Sequence, residues 1–315
     1  MTGCGIVGGA SATHTPTPTS TSTVTSTPTR TSTPRPTFTP TPEPTATPIP
    51  PHIVIADSAL PQGKTLLVNA IPKGAADSAT LTFNGRTYPM MVLPSGFWLP
   101  VGVSPESDTG DLLLTVTRLD VNGAPIDTLT ATIAVTPFNF PIEYLDVPTD
   151  GPNGLRSADD VQIELNIRAN VFAEFIPEQL WSGPFSLPVT GKVTTAFGTA
   201  RSFNGGPISI HHSGTDFAAK LGTPVTAASG GRVAFAGDLT TRGTSVIIDH
   251  GAGVFTAYHH LSRIDVTEGQ SVTQGQQIGL VGMTGLATGP HLHWELIVGG
   301  VNVDPVDWTL PGVAP

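Results

Sequence analysis

One residue separates His291 from His293 in the stretch Gly289-Pro290-His291-Leu292-His293-Trp294-Glu295-Leu296. A Gly-Pro turn followed by apolar and aromatic residues predicts a strand that starts from a loop. Successive strand side chains point to opposite faces, so both imidazoles and Glu295 project one way while Leu292 and Trp294 project into a core. Two more histidine groups lie upstream, His211-His212-Ser213-Gly214-Thr215-Asp216 and Tyr258-His259-His260-Leu261-Ser262. Of the nine histidines, only His14 and His52 fall outside positions 211–293. Zinc favours imidazole and carboxylate ligands, and a catalytic zinc keeps three protein ligands and an open position. His212, Asp216 and His293 are the candidate ligands, with His260 and His291 left beside the metal. The competing reading of the His291/His293 pair is two hydrogen-bonded surface histidines.

Composition narrows the setting. The 315-residue chain has room for about two domains. Charged residues are only 12%, against 35 Gly and 31 Pro, which predicts mainly β structure. Lys+Arg number 14 and Asp+Glu 24, a net charge of −10, which argues against holding a nucleic-acid backbone by bulk electrostatics. The acidity lies away from the histidines. Residues 52–183 carry six basic and fifteen acidic side chains, most simply a solvated face, whereas 184–315 carry six and eight.

The single cysteine, Cys4, excludes an intrachain disulfide. No run of about 18 apolar residues exists, so no membrane-spanning helix is predicted. A complete secretory signal is missing its apolar region. Yet Met1-Thr2-Gly3-Cys4-Gly5 resembles the end of a bacterial lipoprotein signal, where a cysteine behind a small residue is lipidated. On that reading the true start lies upstream and the protein is an envelope lipoprotein with a membrane anchor; on the other, Cys4 is incidental.

The elements that must position the histidines follow from the pattern along the chain. Residues 1–51 read as a disordered stalk, since 11–51 are almost entirely Thr, Pro and Ser. Such a segment buries too little apolar surface to order itself, and in polyproline II it reaches on the order of 100 Å. Residues 52–138 alternate in short runs such as Thr65-Leu66-Leu67-Val68 and Ala79-Thr80-Leu81-Thr82-Phe83, broken by Asn84-Gly85 and Asn122-Gly123 turns. That spacing predicts an immunoglobulin-like β-sandwich in a spacer role. Residues 139–183 form a connector, in which Ser157-Ala158-Asp159-Asp160 resembles a capping box ahead of a helix over Val161–Phe175. Residues 184–315 predict an antiparallel β domain with polar groups on its loops, at 198–210, 238–243 and 286–289.

In that last domain the motifs resemble the lysostaphin-like (LytM-type) zinc metallopeptidases over roughly residues 185–310. They are His-x-x-x-Asp at His212 and Asp216, Tyr-x-His-Leu-Ser at Tyr258 to Ser262, Gly-x-Thr-Gly at Gly282 to Gly285, and Gly-Pro-His-Leu-His at Gly289 to His293. The resemblance implies a β groove of the duplicated hybrid (barrel-sandwich) type that cuts peptide bonds in bacterial peptidoglycan, in cross-bridges or stem peptides. It implies Zn2+ held by His212, Asp216 and His293, and catalytic roles for His260 and His291. His211 and His259 adjoin motif positions without occupying them, and a solvent-facing or wall role is expected for both. His250 is expected in a structural turn; Asn204 either lines the groove or makes a turn, with the turn favoured; Tyr258 fits either cleft or core. Glu295 is either a partner that orients a ligand histidine or a wall carboxylate.

A histidine base fits this chemistry because an unperturbed imidazole titrates near neutral pH. His-Glu-x-x-His is absent, which excludes the thermolysin arrangement. Two other functions compete. One is a catalytically inactive cell-wall scaffold or activator of other hydrolases, whose type usually lacks one of the five site positions; all five are present here. The other is a peptidoglycan-binding adhesin with a structural zinc, which would call for a fourth protein ligand. A monomer in the cell envelope or outside the cell is expected.

Overall fold

The computed structural model describes residues 49–147 and 156–312. Residues 1–48 of the expected stalk, Cys4 among them, lie outside the described residues. No helix among the described residues is long and apolar enough to cross a membrane.

Alternation builds two sheets between His52 and Thr136. Four strands order as His52–Ile55, Thr65–Ile71, Gly96–Gly102 and Met91–Leu93. Five more order as Ala59–Pro61, Pro125–Thr136, Gly110–Leu119, Ser78–Phe83 and Arg86–Pro89. Inward residues of both sheets, among them Val68, Leu81, Phe97, Val116 and Ile133, form one hydrophobic cluster. The strand Gly96–Gly102 has no period-two signal in its sequence because all seven of its residues are buried.

The connector contributes regular structure. Helix α1 spans Ala158–Phe172, with Ser157 as N-cap accepting from the Asp160 backbone N–H at 3.1 Å. It stops three residues short of the expected Phe175, with Ala173 as its C-cap and the Ala173 N–H bonded to the Ala169 carbonyl. A strand not anticipated from sequence, Ile142–Leu145, pairs in parallel with Ala200–Phe203, which itself forms a hairpin with Ile208–His211. The expected loop at 198–210 is therefore mostly this hairpin. Its turn uses Asn204 and Gly205, both at positive φ (49° and 73°), as an Asn-Gly two-residue turn requires.

The histidines sit on an eight-stranded sheet. Its path is Lys192–Thr195, Thr215–Ala218, His291–Val298, Val254–His259, Gly243–Asp249, Gly231–Leu239 and Ser271–Val272, with Val301–Val303 paired to His291–Val298. All of these pairings are antiparallel. Leu292, Trp294 and Leu296 enter the main core, as the alternation predicted. Trp98 of the first two sheets belongs to that same core, with its ring 6.0 Å from Trp181. Lys64 reaches Asp304 at 3.2 Å and Asp307 at 2.7 Å.

Register sets the site. Asp216 lies opposite His293 on one side, and His259 lies opposite His293 on the other. Directly opposed residues share a face, so the three form a row. Gly214 permits the close approach of the first two strands: a Cβ there would collide with the Trp294 carbonyl. Gly214→Ala is expected to pry Thr215–Ala218 away from its partner and to destabilise by about 1–3 kcal/mol, as overpacking does. Thermal melting checks this; an unchanged melting temperature would count against it.

Candidate metal centre and groove

Three donor atoms converge at the end of the Thr215–Ala218 strand. His212 Nε2, Asp216 Oδ1 and His293 Nδ1 are separated by 2.9 Å, 3.1 Å and 2.7 Å. All three residues are buried, and they form a group able to hold a metal ion. The other nitrogens reveal which atoms carry protons. His212 Nδ1 faces the Ala196 carbonyl at 3.1 Å, and a carbonyl only accepts, so that nitrogen is the donor. His293 Nε2 faces Glu295 Oε1 at 3.0 Å, and a carboxylate likewise accepts. The inward atoms are two imidazole nitrogens and a carboxylate oxygen, and a proton among them is held along the 2.7 Å contact of His293 Nδ1 with Asp216 Oδ1. A cation between them satisfies all three at once, and the donor set of two nitrogens and one oxygen suits zinc.

Burial opposes charge on His293, but its hydrogen bonds to Asp216 and Glu295 outweigh it and raise its pKa, so the cluster favours positive charge at its centre. Burial opposes charge on Asp216, but its hydrogen bonds with His212 and His293 outweigh it and hold the carboxyl far below the usual range. Its second oxygen takes Arg201 at 3.1 Å, which fixes the carboxylate plane. Burial pulls His212 down to about 4, which keeps its ligand nitrogen unprotonated at neutral pH.

His260 and His291 stand beside this cluster, their rings 4.7 Å apart, with His260 6.0 Å from His293. His260 occupies a left-handed turn (φ 60°) just after the strand Val254–His259, which swings its ring out of the strand row. Its Nδ1 donates to the Thr284 carbonyl at 2.7 Å, and His291 Nδ1 donates to the Gly289 carbonyl at 2.8 Å. Each neutral ring therefore keeps Nε2 free to accept. Burial first, then His291 and His293, lower His260 to about 3. All five residues line a groove of roughly 430 Å³, with Glu143, Arg201 and Arg242 contributing charges to its walls.

The neighbouring histidines divide. His211 is a wall residue, as expected, and meets Glu106 at 3.1 Å. His259 is not solvent-facing. It is fully buried, stacks on His293 with centroids 5.6 Å apart, and is held by Ser245 at 2.8 Å and Arg168 at 3.2 Å. Tyr258 is core, its hydroxyl accepting from the Ala228 N–H. Asn204 is a turn residue whose Oδ1 accepts from the Val147 N–H. Glu295 is fully buried and bonded to His293, so it is the orienting partner and not a wall carboxylate. Five charged contributors escaped the sequence reading: Glu143, Glu164, Arg168, Arg201 and Arg242.

His250 is a structural residue, bonded to the Gly230 carbonyl at 2.6 Å and the Thr256 hydroxyl at 2.7 Å. Burial lowers it to about 4. In the unfolded chain it binds a proton near pH 6.5, in the fold only near pH 4, so its contribution to stability is lost as pH falls between those values. The loss is roughly 3 kcal/mol for this residue. His212, His259 and His260 act in the same sense; Asp249, raised to about 6 by burial, and His293, raised despite burial by its hydrogen bonds to Asp216 and Glu295, act in the opposite one. Unfolding of the metal-free chain between pH 7 and pH 4 is expected to show falling stability, with a shallower slope for His250→Gln.

A sheet-lined groove thus holds a buried His–Asp–His cluster able to bind a metal ion, with two further histidines beside it. Comparison with known proteins is in keeping with this: residues 210–305, which hold all five candidate site residues, match the model described as Peptidase family M23. The peptidoglycan DD-endopeptidase ShyA of Vibrio cholerae is 48% identical over 100 residues, covering 32% of this chain and 23% of the relative. The DD-carboxypeptidase/endopeptidase Mpg of Neisseria meningitidis is 47% identical over the same length, again 32% and 23%. The chain thus spans about a quarter of the length of these curated relatives. A solved structure described as a peptidase M23 of Pseudomonas aeruginosa superposes with a TM-score of 0.59 at 26% identity, covering 79% of this chain and 93% of that one.

Proposed function

We propose that the protein is a zinc-dependent endopeptidase that hydrolyses peptide bonds in bacterial peptidoglycan. The observation that carries this reading is the convergence of three potential ligand atoms, from His212, Asp216 and His293, beside two histidines with free Nε2 atoms. When bound, zinc supplies Lewis acidity toward the scissile carbonyl and toward water. The protein residues supply the rest. His260 and His291 share the proton transfers: one neutral ring accepts the proton of the attacking water, and the other, as imidazolium, hydrogen-bonds the developing oxyanion or protonates the leaving amine. Their Nδ1 bonds to backbone carbonyls fix the rings, so little reorganisation accompanies each transfer.

The names of the relatives support the substrate class, and DD-endopeptidase makes a bond between two D-amino acids the first to examine. The decisive assay is digestion of purified peptidoglycan by the full chain, with products read by mass spectrometry. New peptide termini that vanish on chelation are expected. Products without new amino termini would sink the endopeptidase reading.

The same reading puts the protein in the cell envelope as a monomer. A lipidated Cys4 on the Thr/Pro stalk would tether it, and residues 52–138 would act as an immunoglobulin-like spacer ahead of a catalytic domain over 184–315. Membrane partition of the native chain, compared with Cys4→Ser, tests the anchor.

A further inference from the structure

We infer that helix α1 belongs to the metal centre: Arg168 and Glu164 are positioning residues that hold His293 through Glu295 and Arg242. This rests on the metal-site reading above and extends the working site beyond residues 210–305.

The helix is turned the unexpected way round. It buries Glu164 (2% exposed) and Arg168 (5%), one turn apart, and leaves Ile163 (56%) and Leu165 (50%) in solvent. Burying two charges costs far more than burying two aliphatic side chains unless dedicated partners offset it. Those partners are present. Arg168 Nη2 donates to Glu295 Oε2 at 2.6 Å, and Arg242 Nε donates to Glu295 Oε1 at 2.8 Å. Glu164 accepts from Arg242 Nη1 at 2.6 Å and from the Thr241 backbone N–H at 2.5 Å. Two guanidiniums and two carboxylates balance, and Ser213 and Asn302 fill remaining positions on Glu295.

His293 is the object of this network. Its Nε2–H donates to Glu295 Oε1, which leaves Nδ1 aimed at Asp216. A carboxylate on the outer nitrogen of a ligand histidine fixes its tautomer and ring angle. Arg168 fixes that carboxylate, and it also holds His259, whose ring stacks on His293. Without Arg168, Glu295 Oε2 keeps only the 3.2 Å bond from Asn302, and both groups flanking His293 lose an anchor.

The test uses the full chain, zinc alone as ligand, and a competing chelator to measure affinity. Cobalt substitution reports ligand geometry through its visible spectrum, and melting of the metal-free protein reads the structural contribution separately. Arg168→Met, similar in length but uncharged, is expected to weaken zinc by ~10- to 100-fold and to alter the cobalt spectrum. Arg168→Lys keeps the charge but not the fork and should recover part of the loss. Parental affinity and spectrum in Arg168→Met, with only a lower melting temperature, would overturn the inference and leave a purely structural helix. Should Arg168→Met not fold, Arg168→Lys decides alone, and parental affinity in it overturns the inference. A parent chain that binds no zinc would remove the metal-site reading and this inference together.

Discussion

His293→Ala is expected to remove zinc binding and, with it, peptide release from peptidoglycan. Its Nδ1 is one of three donor atoms, and loss of one leaves His212 and Asp216, too few for a stable catalytic site. A catalytic metal contributes several kcal/mol to the transition state, so a loss of about 5 kcal/mol, or roughly 10³- to 10⁴-fold in kcat/KM, follows. Metal analysis of the purified variant and its rate on peptidoglycan check both halves. Parental zinc content in this variant would sink the ligand assignment.

The second large effect separates chemistry from metal binding. His260→Asn should retain zinc and lose roughly 10²- to 10⁴-fold in kcat, the usual contribution of a positioned acid or base. Asn is the better replacement because His260 sits at φ 60°, a left-handed conformation that Asn tolerates and Ala does not favour. The buried ring makes no bond to the three converging donor atoms; its Nδ1 goes to Thr284. Full activity with zinc retained would exclude His260 from proton transfer and leave that role to His291.

Much of the site was legible in sequence, for a physical reason. Strand period alone put His291, His293 and Glu295 on one face and Leu292 and Trp294 in the core, and the eight-residue strand His291–Val298 obeys it. The His212/Asp216 spacing runs from the link after Ile208–His211 into the strand Thr215–Ala218, with Asp216 opposite His293, as a shared site demands. Asn204-Gly205 announced its turn, though the hairpin around it went unread because Ile208–His211 is short and its outward face stays exposed.

The unread part depends on long-range partners. Arg168 meets Glu295 across 127 positions, and nothing local to either residue announces the other. The helix over this stretch was expected, but its orientation was not: Glu164 and Arg168 are buried while Ile163 and Leu165 stay in solvent, so buried charge decided which face turns inward. The parallel strand Ile142–Leu145 is hidden for the same reason, since its partner is Ala200–Phe203 and its own four residues alternate too briefly to stand out. His259 was misjudged because a histidine next to a motif histidine carries no local sign of burial; only the pairing of His259 with His293 does.

The most direct measurement is a zinc titration of the metal-stripped full chain acting on purified peptidoglycan. Peptide release should be absent at the start, rise in proportion to bound zinc, and saturate at one ion per chain, the capacity of the His212, Asp216 and His293 cluster. Release that persists undiminished after the metal is stripped, or a fully zinc-loaded chain that frees no peptide from any wall type, would contradict it.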